Sequence, residues 1–200
     1  MGKRAIILIA VLALVVVVFK FCNDKPDKNA VAEAKQAPLA MGENSGPFNQ
    51  SFNTLLSSYY SLKDAFVSSD VNKVNIAAGE LAKSADSLKT SEIKGDSTGM
   101  IRETAKQFAQ SLSSSASTLA TAADIEAKRH EFETVTDALW SLTRTVQYDG
   151  QKVYYQYCPM AFNNKGAYWL SNTTEIRNPY FGDKMLKCGE VADSLDYSKR

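Results

Sequence analysis

The chain has 200 residues, 44% of them hydrophobic, and a formal net charge of +1. That length suits one domain of ordinary size plus an anchor or tail, and the near-neutral charge excludes the strong field of a nucleic-acid binder. The chain has one histidine, His130. This argues against a histidine triad or a His-rich zinc site. The phosphate-loop, dinucleotide, HExxH and GxSxG signatures are all missing from the sequence. A non-enzymatic role is expected, with no catalytic residues.

Residues Ala5 to Phe19 are an unbroken apolar run behind Lys3 and Arg4. The run is short for a bilayer span and long for the core of a signal peptide. No A-x-A cleavage site follows. Phe19, Lys20 and Phe21 precede Cys22, where a bacterial lipobox has small residues. Residues 1–22 therefore read as an uncleaved membrane anchor rather than a lipoprotein signal ending at Cys22. Lys3 and Arg4 place the N-terminus in the cytoplasm and the body in the periplasm or outside. Lys20, Lys25 and Lys28 weaken that asymmetry. Residues 23–47 carry Pro26, Pro38 and Pro47 and no apolar periodicity, which is the composition of a flexible tether.

Four amphipathic helices are predicted over residues 48–147. Phe52, Leu55, Tyr59, Leu62 and Phe66 recur at helical spacing. So do Val71, Val74, Ala78, Leu81, Ala85 and Leu88, then Ile101, Ala105, Phe108, Leu112, Ala116 and Leu119. Ile125, Phe132, Val135, Leu139, Leu142 and Val146 complete the fourth stripe. Ser69-Asp70, Gly95-Asp96-Ser97 and Thr121 to Asp124 offer the breaks and caps. Short connections make neighbours antiparallel, so an all-α, up-down-up-down four-helix bundle is expected, with an irregular or short-stranded C-terminal cap. No Glu-x-x-His pair marks a bundle metal centre, so the stripes read as core. His130, between charged neighbours, reads as a solvated residue. Trp140 is expected to cover a bundle edge under the C-terminal segment.

The helical rhythm stops after Val146, and residues 148–200 are rich in sulfur and aromatic rings. Val153 to Tyr157 is β-prone, and Asn163-Asn164-Lys165-Gly166 and Asn178-Pro179 with Gly182 are turn signals. Cys158 and Met160 lie two apart, so an extended chain would point both the same way. Met185 and Cys188 lie three apart, so one helical turn would put both on one face. Brought together, the four would form a thiolate and thioether site, and such soft ligands select Cu(I). The same cysteines, 30 residues apart in an exported domain, also suit a disulfide. Both readings stay open on the residues alone.

The runs "YCPMAFNNKGAYWLS", "IRNPYFG" and "MLKCGEV" resemble an exported Bacteroidota family of unknown function, numbered 3347. Its members have a helical body followed by a CPMA, WLS, NPYFG and MxxCG segment. The resemblance spans roughly Phe52 to Val191. It implies a heavy-metal context, because members occur alone or attached to periplasmic adaptors of copper- and silver-type efflux systems. It maps metal ligands onto Cys158, Met160, Met185 and Cys188. Tyr157 departs from the pattern, standing where some relatives carry a histidine.

The leading expectation is thus a membrane-anchored, exported Cu(I)-binding domain that sequesters the ion or hands it to an efflux adaptor. Residues 178–182 would shape the loop, and Trp169 would shield the site from water. The alternative is a non-catalytic interaction module stapled by a Cys158–Cys188 disulfide, docking a partner through Tyr154, Tyr168, Trp169 and Tyr180.

Overall fold

The computed structural model of the protein describes residues 44–199. The predicted anchor at 1–22, Cys22 and all but the end of the predicted tether lie outside these residues. Among the described residues no helix is long and apolar enough to cross a membrane.

The body is mostly helical. Helices α1 (Gly46–Val67), α2 (Val71–Asp86), α3 (Met100–Thr121) and α4 (Ile125–Thr145) follow one another, and each packs on the next. Their starts are chemically defined. The Ser45 side chain accepts a hydrogen bond from Phe48 N–H at the head of α1, with Pro47 in the first turn. Asp70 and Asp124 do the same for Lys73 and Ala127. The head of α3 is different. Gly99 sits at the cap without a side chain, and Asp96, three residues earlier, takes the Arg102 N–H at 2.8 Å. Such caps are each worth about 1 kcal/mol.

The predicted stripes form the core. Phe52, Leu55, Tyr59, Leu62 and Phe66 are fully buried, as are Val74, Ala78, Leu81, Leu112, Phe132, Val135, Leu139 and Leu142. Three stripe positions differ. Val71 is exposed in the first turn of α2, and Phe108 and Ile125 are half-buried.

Helices α1 and α4 meet through long side chains. Tyr59 stacks on Phe132 with ring centroids 5.3 Å apart, and Phe66 lies 4.8 Å from the same ring. The Tyr59 hydroxyl shares a 2.7 Å hydrogen bond with Thr136 Oγ1 and accepts the Leu170 N–H from the cap. Burial holds that phenol far above its ordinary range.

The C-terminal segment is a three-stranded antiparallel sheet in the order β2-β1-β3, from β1 (Val153–Cys158), β2 (Ala167–Ser171) and β3 (Glu190–Leu195). Gln156 is opposite Trp169 and Cys158 is opposite Ala167; a bulge at Tyr155/Gln156 breaks the pairing with β3. Trp140 of α4 stacks on Tyr155 at 4.2 Å, so the sheet rests on the body where the sequence placed that tryptophan. Cys158, Ala161, Ala167, Trp169, Leu170 and Tyr180 belong to the same buried cluster as the helical stripes. The cap and the body share one core.

Residues 44–47, the end of the predicted tether, are part of this fold. Asn44 donates through its side chain to Val146 O at 3.1 Å and through its backbone to Asp149 at 3.0 Å.

Candidate functional site

The candidate site is built by three connections after Cys158. The strand ends there, and Pro159 and Met160 turn out of it, with Met160 in helical conformation (φ −89°, ψ −11°). The alternation expected to align Cys158 with Met160 therefore stops one residue too soon. Cys158 is fully buried, whereas Met160 is 46% exposed.

The chain then makes a left-handed turn. Phe162, Asn163 and Asn164 all have positive φ (51°, 58° and 67°), followed by Gly166 at 82°. Asparagine tolerates this region, but a left-handed residue with a bulky side chain costs about 1–2 kcal/mol. The turn is tied by Gly166 N–H to Ala161 O at 3.0 Å. The Phe162 ring stacks on the His130 imidazole at 4.0 Å and meets Tyr180 edge-on at 5.3 Å.

After β2 the chain returns through the NPYFG loop. Asn178 is fully buried and organises it. Its Oδ1 accepts Tyr180 N–H at 2.8 Å, and its Nδ2 donates to Cys188 O at 2.8 Å. Its backbone N–H donates to Leu186 O and its carbonyl accepts Gly182 N–H. The buried Arg129 fastens the loop to the body. Nε donates to Pro179 O at 3.0 Å, Nη2 to Ser69 Oγ at 3.0 Å, and Nη1 pairs with Glu126 at 2.6 Å. Gly182 is required by close approach, since a Cβ there would stand 2.8 Å from Val67 O.

These connections gather the four predicted sulfurs as two pairs. Cys158 Sγ and Cys188 Sγ are 3.1 Å apart. Met160 and Met185 line one cleft of about 470 Å³, together with His130, Glu126, Phe162 and Phe181. The cysteines do not line that cleft. Met185 and Cys188 are linked by a turn, with Cys188 N–H donating to Met185 O at 3.0 Å.

In kind, the donors fit a soft monovalent ion, being two thiols and two thioethers. In arrangement, the thiol pair fits such an ion less well. Two thiolates about 2.3 Å from one tetrahedral ion would stand about 3.8 Å apart. The Cys188 thiol is also pushed up, first by its contact with the Cys158 sulfur and then by burial. Protons must leave before it can bind a metal.

Trp169 is fully buried, and Gly189 comes so close that a Cβ would touch its ring at 2.8 Å. Its Nε1 and the Oε1 of Gln156 are buried without a hydrogen-bond partner among the described residues. The expected aromatic docking surface is half core, because Trp169 and Tyr180 are buried. Tyr154 and Tyr168 remain half-buried, and Tyr168 packs in a stack of rings 4.4 Å from Tyr155 and 4.5 Å from Tyr157. Beside it on α4, partial desolvation raises the carboxyls of half-buried Glu133 and exposed Asp137, and the Asp137 charge adds to the effect on Glu133.

Two residues of this region escaped sequence reasoning. His130 has charged neighbours in sequence but an aromatic partner in space. Arg129 reads as a surface charge, yet only its neighbour Glu126 is exposed. The left-handed Asn163-Asn164 pair was the one local signal that the chain folds back onto α4.

No curated protein and no solved structure matches the chain. A family model with the description "Protein of unknown function (DUF3347)" matches residues 55–150, which run from α1 to the approach of β1. The match ends before the CPMA, NPYFG and MLKCG motifs. Over residues 55–150 the chain is similar to this family of unknown function, DUF3347.

Proposed function

We propose that the protein is a non-catalytic, soft-metal-binding domain, exported and held to the membrane by residues 1–22, which sequesters Cu(I) or passes it to an efflux adaptor. The four long helices act as an up-down-up-down bundle that carries the cap. This is supported by the sequential packing of α1 to α4 and by the reach of Tyr59 and Phe66 to Phe132. Cys158, Met160, Met185 and Cys188 supply the donors. The observation that carries the reading is the return of the chain at Asn178. It brings sulfurs 25 and 30 positions apart in sequence into one cleft and one contact. Competition titration with a Cu(I) chelator tests it. Affinity should fall in at least one of Cys158→Ser and Met185→Leu, and unchanged affinity in both sinks the reading.

The sulfur contact also favours a second reading, in which Cys158 and Cys188 form a structural disulfide and the cap is an interaction module. Closing it passes two protons and two electrons to a thiol-disulfide oxidant. A loop of this size would contribute about 3–4 kcal/mol. Labelling free thiols in unreduced protein separates the two states, since a closed bridge leaves only Cys22 to react.

A further inference from the structure

The proposed soft-ion reading leaves one residue unused and one exposure unexplained. The first is the histidine. His130 lies on the exposed side of α4, where its imidazole is held flat against Phe162 at an interplanar angle of 17°. A ring stacked on its face keeps both nitrogens at its free edge, and no protein hydrogen bond occupies them among the described residues. The second is Met160, a large apolar side chain left 46% exposed beside a cleft that it shares with Met185 and His130. The strained Phe162 holds the stack and the cleft wall together. Left-handed bulky residues concentrate where structure is held for function.

We infer that this cleft is the seat of one soft monovalent cation, with His130, Met160 and Met185 as its ligands, and that the Cys158–Cys188 pair is a staple beside it rather than part of it. This rests on the soft-ion reading but narrows it, keeping the two methionine donors, releasing the two cysteines and adding a donor from the helical body.

The chemistry follows from the donor types. One imidazole nitrogen and two thioethers are neutral and soft, which suits Cu(I) or Ag(I) and serves Zn²⁺ or Ca²⁺ poorly. Glu126 also lines the cleft, but its carboxylate is taken by Arg129 at 2.6 Å. Lys165 brings an opposing positive charge to the same wall, which further disfavours divalent ions. The cleft is larger than an ion, so binding must draw the methionines inward. Their three rotatable bonds allow this. The imidazole needs no such movement, because the ring stack already fixes it.

The test is an Ag(I) titration of the full chain carrying Cys22→Ser, with the Cys158–Cys188 bridge closed, so that no thiol can ligate. His130 is the only histidine, so its imidazole resonances are unambiguous. They should shift together with the methyl resonances of Met160 and Met185, saturating at one equivalent. His130→Gln and Met160→Leu should each weaken Ag(I) by at least about tenfold, a loss typical even for outer-shell partners. Both side chains are exposed, so unchanged helical circular dichroism checks the fold. If Ag(I) binds only reduced protein and leaves His130 unmoved, the inference fails while the soft-ion reading stands. If Ag(I) binds neither form, the reading itself fails and the inference with it.

Discussion

The helical body and the C-terminal cap share a core but are held in different ways. In the body, stability is spread over repeated apolar stripes, and most polar side chains serve only their own helix, as with the Thr118 and Ser117 hydroxyls bonded one turn back. In the cap, a few buried polar groups each hold several strands of chain at once. Asn178 makes four hydrogen bonds within the return loop, and Arg129 joins α4, the α1–α2 turn and Pro179. A distributed core tolerates single changes and varies in detail. A cap hung on few polar nodes is all-or-none at each node, which suits a region that must hold side chains in one arrangement.

Substitutions that act on one region or both sharpen this contrast. The largest effect should come from Phe132→Ala. Its ring touches Tyr59, Phe66 and Tyr180, so it serves body and cap together, and the loss should be about 3–5 kcal/mol in urea unfolding. Arg129→Met should cost about 1.5–3 kcal/mol, the usual range for hydrogen bonds to a charged group. Hydrogen exchange should then speed up across residues 176–188 more than within α1 to α3; equal acceleration would deny the nodal picture. Asn178→Ala should cost about 1–3 kcal/mol by stranding buried partners, and free Cys188 from its place beside Cys158. The observable is slower disulfide closure under a fixed oxidant.

The smallest effect concerns acid. In Asp149, burial opposes ionisation, but the hydrogen bonds from Asn44 and Asn49 outweigh it and hold the carboxyl below its usual range. A depressed carboxyl stabilises the fold above its unfolded value of about 3.9 and loses that contribution as pH falls through the folded value. Asp149→Asn should therefore lower the urea midpoint at pH 7 and lower it less at pH 3. Glu133 and Asp137 run the other way, since raised carboxyls cost stability while ionised. A gap that widens in acid would contradict the assignment to Asp149.

The same contrast explains what could be read from the sequence. Helical stripes repeat many times, so Phe52 to Phe66 and Leu112 to Leu119 identify their buried face without any knowledge of partners. The β-prone run at Val153 and the Asn-Asn-Lys-Gly turn were also legible, because both are local. The pairing of the sulfurs was not, since it depends on where β1 stops. Spacing of two aligned Cys158 with Met160 only while the chain stayed extended, and Pro159 turns it. His130 was equally hidden, because its partner Phe162 lies 32 positions away and in a backbone region that a phenylalanine rarely enters. The cost of local reasoning is greatest where the cap closes on the body, which is also where the proposed site lies.

The most direct test of the soft-ion account is the native intact mass of the full chain, purified from an oxidising compartment with copper supplied and no reductant. The account predicts a mass increased by one copper ion, and loss of that ion in Met160→Leu/Met185→Leu. A chain two hydrogens lighter that carries no metal would contradict it, and leave the cap as a disulfide-stapled interaction module.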